Sequence, residues 1–486
     1  MKKFLFIFIL IAFIPLFFVC CGEEERISAY SLDIVYNNKT RSMNVFQQVE
    51  YVNNSDNSFK ELYFHLYPNA FREDANKKPV SLANYSLAYP NGASYGGIEI
   101  SKVCVEGQEV EFKIEGDDKN ILALPLNKEL FPNESVFLQM EYTVTLPNVN
   151  HRFGYGENTI NIANFYPIAC VYEDGVGFHK ELYTSNGDPF YSDISNYNVT
   201  IEYDNNLKLA SSGNVIDLTE NEGQKFAKIE GRKIRDFAIV LSDKFNKISQ
   251  EVDGITLNYY FYNDETAEDT LEMSAKALSF YDDKFGSYPY SQLSVVQNNF
   301  VYGGMEYPNL VMISDTLSTK TAYYVIAHEI AHQWWYGVVG NDEYNEAWVD
   351  EALTEYSTVL FFENHGEYEL EYDTLVTNAN STFNFYYDIY ESVCNEVDTS
   401  MARALNEFET EPEYVHSVYT QGVIMYDSLR ELIGENKFYK CCQSYYKKMA
   451  YKNASGAELI AIFSNASMRN LESFFNSFLN GEVVIG

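Results

Sequence analysis

The sequence predicts an α+β protein of more than one domain: an all-β saddle or sandwich first, a mainly helical domain second. Three observations carry this expectation. At 486 residues the chain is longer than one ordinary hydrophobic core organises. From Ser28 to about Phe245 apolar residues recur at period two, in short runs broken by Asn, Gly and Asp clusters. Beyond about Ala267 the apolar spacing becomes three and four, the pattern of amphipathic helices.

The first residues stand outside this fold. Met1-Lys2-Lys3 is basic, and Phe4 to Val19 is an apolar run interrupted by Pro15. That run is short for a membrane span and ends in Cys20-Cys21-Gly22 followed by Glu23 to Glu25. The arrangement resembles a bacterial lipoprotein signal, with Cys20 filling the small position before a lipidated Cys21. An ordinary secretory signal with incidental cysteines is the alternative. Residues 1–21 are therefore expected to be a signal segment, and the remainder extracytoplasmic, held to a cell membrane by lipid alone.

Residues 22–248 are expected to form the β domain. Tyr30, Leu32, Ile34 and Tyr36 alternate, Asn37-Asn38-Lys39 turns, and Met43, Val45 and Val49 alternate again. Similar runs lie at Leu62 to Leu66, Ile98 to Val105, Val110 to Ile114, Val136 to Val144, Tyr197 to Tyr203 and Phe237 to Leu241. Residues 249–486 are expected to form the second domain. Ile255 to Phe261 reads as a strand, and Ala267 to Asp283 as a helix stopped by Gly286 and Pro289. Leu293 to Val296 reads as another strand, and helices follow to the end, with Ser455-x-x-Glu458 as a capping box.

Formal charge is −36, from 34 basic against 70 acidic residues spread along the chain. This excludes a basic nucleic-acid footprint and disfavours anionic lipid surfaces. Beyond the signal, Cys104, Cys170, Cys394, Cys441 and Cys442 contain no Cys-x-x-Cys pair, so structural zinc and dithiol redox chemistry are not indicated.

The chemistry concentrates in Ala327-His328-Glu329-Ile330-Ala331-His332. Two histidines four apart on a helix project from one face, so both imidazoles can bind one metal ion without bending the backbone. Glu329 lies beside them, placed to handle a proton on a water. A tetrahedral catalytic zinc needs a third protein ligand and one open position. Glu351, 19 positions after His332, can supply it from a second helix beyond a turn near residues 337–345. The bland reading is a surface helix carrying two solvated histidines.

The neighbours of this motif carry a family resemblance. Val325 to Tyr356, VIAHEIAHQWWYGVVGNDEYNEAWVDEALTEY, resembles the zinc-site signature of the aminopeptidase N and leukotriene hydrolase family, the gluzincins of peptidase family M1. Tyr302-Gly303-Gly304-Met305-Glu306-Tyr307-Pro308 is similar to that family's Gly-x-Met-Glu-Asn exopeptidase motif, and Val418-Tyr419-Thr420-Gln421-Gly422 to its Tyr-x-x-Gly segment. Asn164-Phe165-Tyr166-Pro167 and Arg235-Asp236-Phe237-Ala238 resemble further recurrent segments in the β domain. Two departures stand out: Tyr307 replaces an Asn, and Asp350-Glu351-Ala352 replaces Asn-Glu-Gly.

The resemblance implies a saddle-like β domain followed by a thermolysin-like catalytic domain. It implies one Zn2+ per chain, held by His328, His332 and Glu351, with Glu329 as general base and Tyr419 as the phenol that assists at the oxyanion. Gly303, Gly304, Met305 and Glu306 would bind substrate, Glu306 pairing with a free α-ammonium that would be costly to bury alone. The implied activity is that of a zinc metallo-aminopeptidase acting on peptides with a free N-terminus. Its alternatives are an endopeptidase or epoxide hydrolase on the same zinc site, or a non-catalytic surface-binding lipoprotein. Family members carry a further amine-holding residue in the β domain, for which residues 155–164 offer no counterpart. Longer members append domains over the active site, so a more open cleft is expected here. Glu355, one turn after Glu351, would either orient a ligand or lie on a solvated helix face. His65, His151, His179, His365 and His416 share no spacing with the metal pair and read as structural.

Overall fold

The computed structural model describes residues 26–394 and 397–483. Cys21 and the expected signal segment lie outside the described residues. Among those that are described, no helix is long and apolar enough to cross a membrane.

The first half of the chain is mainly β, with helical turns only at Tyr67–Phe71 and Tyr85–Ala88 among the described residues. An eight-stranded sheet runs in the order 214–221, 224–234, 195–204, 28–37, 42–52, 135–145, 97–105, 108–109. Ser28–Asn37 pairs in parallel with Ser195–Asp204, while its other neighbour and the rest of the sheet are antiparallel. Alternation decides which face is wet. Along Ser135–Thr145 every second residue from Val136 to Val144 is buried, so one face packs and the other meets solvent. Two four-stranded sheets accompany it, one built on Phe59–His65 and Ile121–Leu130, the other on Ile160–Ala163 and Ala238–Ser242, together with a two-stranded hairpin of Tyr172–Glu173 and Gly177–Phe178.

One expected strand is split. Val110, Phe112 and Ile114 alternate, but Gln108–Glu109 pairs with Gly97–Val105 whereas Lys113–Glu115 pairs with Ile121–Leu130. The intervening residues cross from one sheet to another, with Val110 and Phe112 packed against the core on the way. Period two was present in the sequence; which sheet each end would join was not.

Asn246–Val252 opens a five-stranded sheet in which Ile255–Phe261, Gln292–Asn298 and Leu310–Ser314 run parallel. Gln292–Asn298 is buried at every position, as expected of a strand covered on both faces. Ala267–Phe285 crosses between the parallel strands and buries Leu271, Ala275 and Leu278, ending at Gly286. Thr319–Ala331 and Trp348–Asn364 follow, and helices fill the remainder. The Ser455–Glu458 capping box forms, each side chain meeting the other's backbone N–H.

The two cores meet along the edge of the five-stranded sheet, where Met305, Tyr307, Leu310 and Met312 pack with the β-domain residues. Arg235, 1% exposed, fastens the same junction. Its guanidinium donates to the carbonyls of Ser192, Tyr336 and Lys452, which come from both halves of the chain. Gly340 is required beside it, since a Cβ there would lie 2.1 Å from the guanidinium carbon.

Candidate metal centre and active-site cleft

Ser318 caps the helix Thr319–Ala331 by accepting from the Thr321 N–H. His332 follows the last helical residue but keeps helical angles, φ −60° and ψ −18°. It therefore stays on the face that carries His328, and the two rings sit 4.7 Å apart between centroids. Glu351 lies in the first turn of Trp348–Asn364. Its Oε2 is 3.1 Å from His332 Nε2 and 3.3 Å from His328 Nε2, and the two Nε2 atoms are 3.1 Å apart. All three residues are buried.

The backs of the rings decide what their fronts can do. His332 Nδ1 lies 2.9 Å from the carbonyl of Trp335, which can only accept, so that nitrogen carries the proton. His328 Nδ1 lies 2.8 Å from Glu355 Oε2, whose other oxygen accepts from Tyr324 at 2.6 Å. Each neutral ring thus turns an Nε2 lone pair toward the other and toward a carboxylate. Three converging acceptors repel unless positive charge lies between them. Burial alone would favour neutral rings, yet Glu351 and Glu355 raise His328 to about 10, and Glu351 holds His332 high. Burial would likewise raise Glu351, but the imidazoles hold it well below the usual carboxylate range. One divalent cation satisfies this donor set, and two imidazoles with one carboxylate form a ligand set suited to zinc.

Glu329 is buried beside the triad, with one oxygen lacking any hydrogen-bond partner. Burial pushes it up to about 7, against the pull of both histidines. Tyr419 belongs to a π-helical turn, His416–Thr420, a local widening that recurs at functional positions. Its hydroxyl donates to Glu351 Oε1, and its ring stacks on His328 at 5.9 Å and 22°.

Gly304–Met305 is the edge strand of the five-stranded sheet, paired on one side only with Leu310–Ser314. Gly303, Gly304 and Glu306 line a cleft of about 270 Å³ that also holds His328, Glu329, His332, Glu351 and Tyr419. Glu306 is 3% exposed, and its Oε1 has no partner. Burial, reinforced by Asp188, raises its carboxyl well above the usual range. Met305, expected alongside these residues at the substrate, turns its side chain into the β-domain core instead. Alternation along the strand sends Gly304 and Glu306 one way and Met305 the other.

Tyr307 also points away from the cleft. Fully buried, it donates to Asn164 Oδ1, while the Asn164 amide donates to Asp236 at 2.7 Å. The departure at Tyr307 thus links the edge strand to the two β-domain segments that resembled the family. Gln333 has a comparable role. Its Oε1 accepts from the Asn309 N–H at 2.8 Å, and its amide donates to the carbonyls of Glu306 and Tyr307, each at 3.2 Å. The turn that directly follows the histidine-bearing helix therefore also holds the Glu306 segment in place.

The structure brings three further residues to the cleft that the sequence did not mark. Arg152 and Asp188 reach it from the β half as an ion pair with the arginine buried and the aspartate half-buried, and Glu411 reaches it from the helical half, its carboxylate held by Asn84 and Ser81 of the β half. None belongs to a periodic pattern, so only contact across the junction reveals them. Glu355 proves to sit behind His328 rather than on a solvated face.

Residues 269–478 match the peptidase family M1 domain. Human endoplasmic reticulum aminopeptidase 2 is 28% identical over 248 residues, covering 46% of this chain and 24% of that protein. Aminopeptidase N of Lactobacillus delbrueckii subsp. lactis is 22% identical over 410 residues, covering 78% of this chain and 46% of the relative. The chain thus spans between about a quarter and about half the length of these curated relatives. An M1 zinc metallopeptidase from Deinococcus radiodurans shares the fold, with TM-score 0.65, 16% identity and coverage of 95% and 96% of the two chains. Legionella pneumophila aminopeptidase A, solved with aspartic acid, gives TM-score 0.65 at 15% identity, over 94% of this chain and 50% of that one. The matched stretch contains both helices that bring the three donors together, and the fold of an M1 zinc metallopeptidase is shared over nearly the whole length.

Proposed function

We propose that this protein is a zinc-dependent aminopeptidase that removes N-terminal residues from peptides. The observation that carries the reading is Glu306, a buried carboxylate with an unsatisfied oxygen in the same cleft as the three converging donors and Glu329. An α-ammonium entering the cleft would supply the missing partner. A free N-terminus bound there fixes which peptide bond reaches the metal centre, and that is exopeptidase geometry.

His328, His332 and Glu351 would hold the zinc, which when bound supplies Lewis acidity and brings a water toward a pKa of about 7. Glu329 takes the proton of the attacking water and passes it to the leaving amine. Its unpartnered oxygen and its position near 7 suit it to both transfers. Tyr419 donates its phenol hydrogen to the oxyanion, leaving Glu351 to do so. The free side of Gly304–Met305 offers backbone groups to an extended substrate, where a side chain would obstruct its approach.

Peptides with free and with acetylated N-termini test this reading. Turnover confined to the free forms, and lost in Glu306→Gln, is expected; equal turnover of both would remove the aminopeptidase assignment. A tripeptide, Tyr-Ser-Ala, is bound in a structural neighbour from Deinococcus radiodurans, so short peptides are the substrates to try first. The reading extends to a lipid anchor at Cys21, supported by the basic, apolar and cysteine-bounded leader. Loss of detergent-phase partitioning in Cys21→Ser would bear it out, and unchanged partitioning would count against it.

A further inference from the structure

Outside the cleft, one buried histidine is surrounded by carboxylates on both sides of its ring. His179, 7% exposed, has Glu181 Oε1 at 3.2 Å and Asp342 Oδ2 at 3.3 Å from Nδ1, with Glu173 Oε1 at 3.5 Å from Nε2. Despite these distances neither ring nitrogen makes a hydrogen bond of ordinary geometry. One donor atom from each of Glu173, His179 and Asp342 lies within 4.8 Å of the others. The Asp342 carboxylate is already oriented, accepting from the backbone N–H groups of Tyr344 and Asn345 and from the Asn345 amide at 2.7 Å. Tyr191 donates to Glu173 in the same way.

We propose that Glu173, His179 and Asp342 form a second, non-catalytic divalent-cation site. Three carboxylates around one imidazole leave net negative charge even if the ring is protonated, and the burial of His179 and Asp342 limits how far water screens it. A dipositive ion offsets that charge and gives the ring nitrogen a partner. An imidazole among the donors favours Zn2+ or Mn2+ over Ca2+, which prefers an all-oxygen shell. The site opens on a cavity of about 1010 Å³, and Glu173, its side chain 41% exposed, forms the solvent-facing rim through which an ion can enter.

The location gives the ion work to do. Glu173 and His179 belong to the β-domain hairpin around Tyr172–Glu173 and Gly177–Phe178, whereas Asp342 lies in the segment joining His332 to Glu351. An ion bound here ties the β domain to the connection between the two ligand-bearing helices. It acts on position, not on the reacting atoms.

The test is metal content by mass spectrometry on the full-length protein, stripped with chelator, reloaded separately with Zn2+, Mn2+ or Ca2+ and desalted. Two ions per chain are expected, with one retained when His328 and His332 are both replaced by Ala. His179→Gln is expected to lose one ion and the metal-dependent part of its thermal stabilisation. Should that variant fail to fold, Glu173→Gln at the rim is expected to weaken the second site at least tenfold. One ion per chain in the unaltered protein, or none in the His328/His332 double variant, would overturn the proposal. Filling by Ca2+ alone would overturn the choice of an imidazole-preferring ion. An ordinary protonated ion-pair cluster predicts the single-ion result, so the two accounts separate cleanly.

Discussion

A Cβ on Gly304 would lie 2.3 Å from Oε1 of Glu329, so the edge strand and the proposed general base share space that only glycine leaves free. Nothing in the backbone angles forces glycine at this position; the requirement is contact. Gly304→Ala must push the carboxylate aside or displace the strand that receives substrate. We expect kcat/KM to fall about 100-fold, since displacements of an ångström at a reacting group cost that much. Metal content and thermal midpoint should stay near the parent values. Steady-state kinetics with metal analysis would check this, and undiminished activity would mean that Glu329 works from another position.

Glu329→Gln keeps shape and volume but removes the proton acceptor. Hydrolysis should fall by about 10²–10⁴-fold, the usual contribution of a positioned acid–base group. The zinc stoichiometry should not change, because Glu329 is not among the converging donors. Loss of metal together with activity would place Glu329 among the ligands instead.

Tyr419 reports on the transition state in particular. Its hydroxyl is held on Glu351 in this structure, and in the proposed mechanism it becomes useful only as negative charge develops on the substrate oxygen. Tyr419→Phe should therefore lower kcat by roughly 10²–10³-fold while moving KM little. A change in KM alone would assign the residue to binding.

Glu355 tests the support behind the metal centre. It lies 2.8 Å from His328 Nδ1 and is itself fixed by Tyr324. Replacing it with Gln removes the charge that orients and enriches the imidazole. Zinc affinity should weaken by about 10–100-fold, read as faster loss to a chelator. Unaltered affinity would return Glu355 to an ordinary buried polar role.

Acid stability should depend on buried histidines that do not line the cleft. His65 is fully buried against Tyr67, and burial, only partly opposed by Glu181, lowers it from 6.5 to about 4. His151 is lowered in the same way, with Arg152 adding to the effect of burial. Below pH 6.5 the unfolded chain takes up a proton at His65 that the folded chain refuses until about pH 4. Stability is thus full above 6.5 and declines as pH falls to about 4, by on the order of 3 kcal/mol from this residue. Urea midpoints for the parent and His65→Phe, compared at pH 7.5 and 4.5, should show a smaller loss in the variant. Equal losses would mean that His65 is protonated in the folded state.

Much of this protein was legible in one dimension because its signals are local. Period two marks the strands of the β half, Ser455 and Glu458 announce a helix start, and two histidines four apart share a helix face whatever surrounds them. Glu351 could be named because 19 positions are enough for a helix end, a turn and the start of another helix. What the sequence alone determined is therefore the order of elements and the donors brought together by neighbouring elements. Contact between distant segments decided the rest. The split of Val110 to Ile114 between two sheets, the inward turn of Met305, the place of Glu355 behind His328, and the arrival of Arg152, Asp188 and Glu411 at the cleft all depend on which surfaces pack together. The physical reason is the range of the forces involved. Backbone hydrogen bonding and side-chain period act within a few residues and leave a repeating trace in the chain. Burial and charge act between whatever folding brings close, and residues 152 and 188 carry no mark of the glutamate they will face at 306.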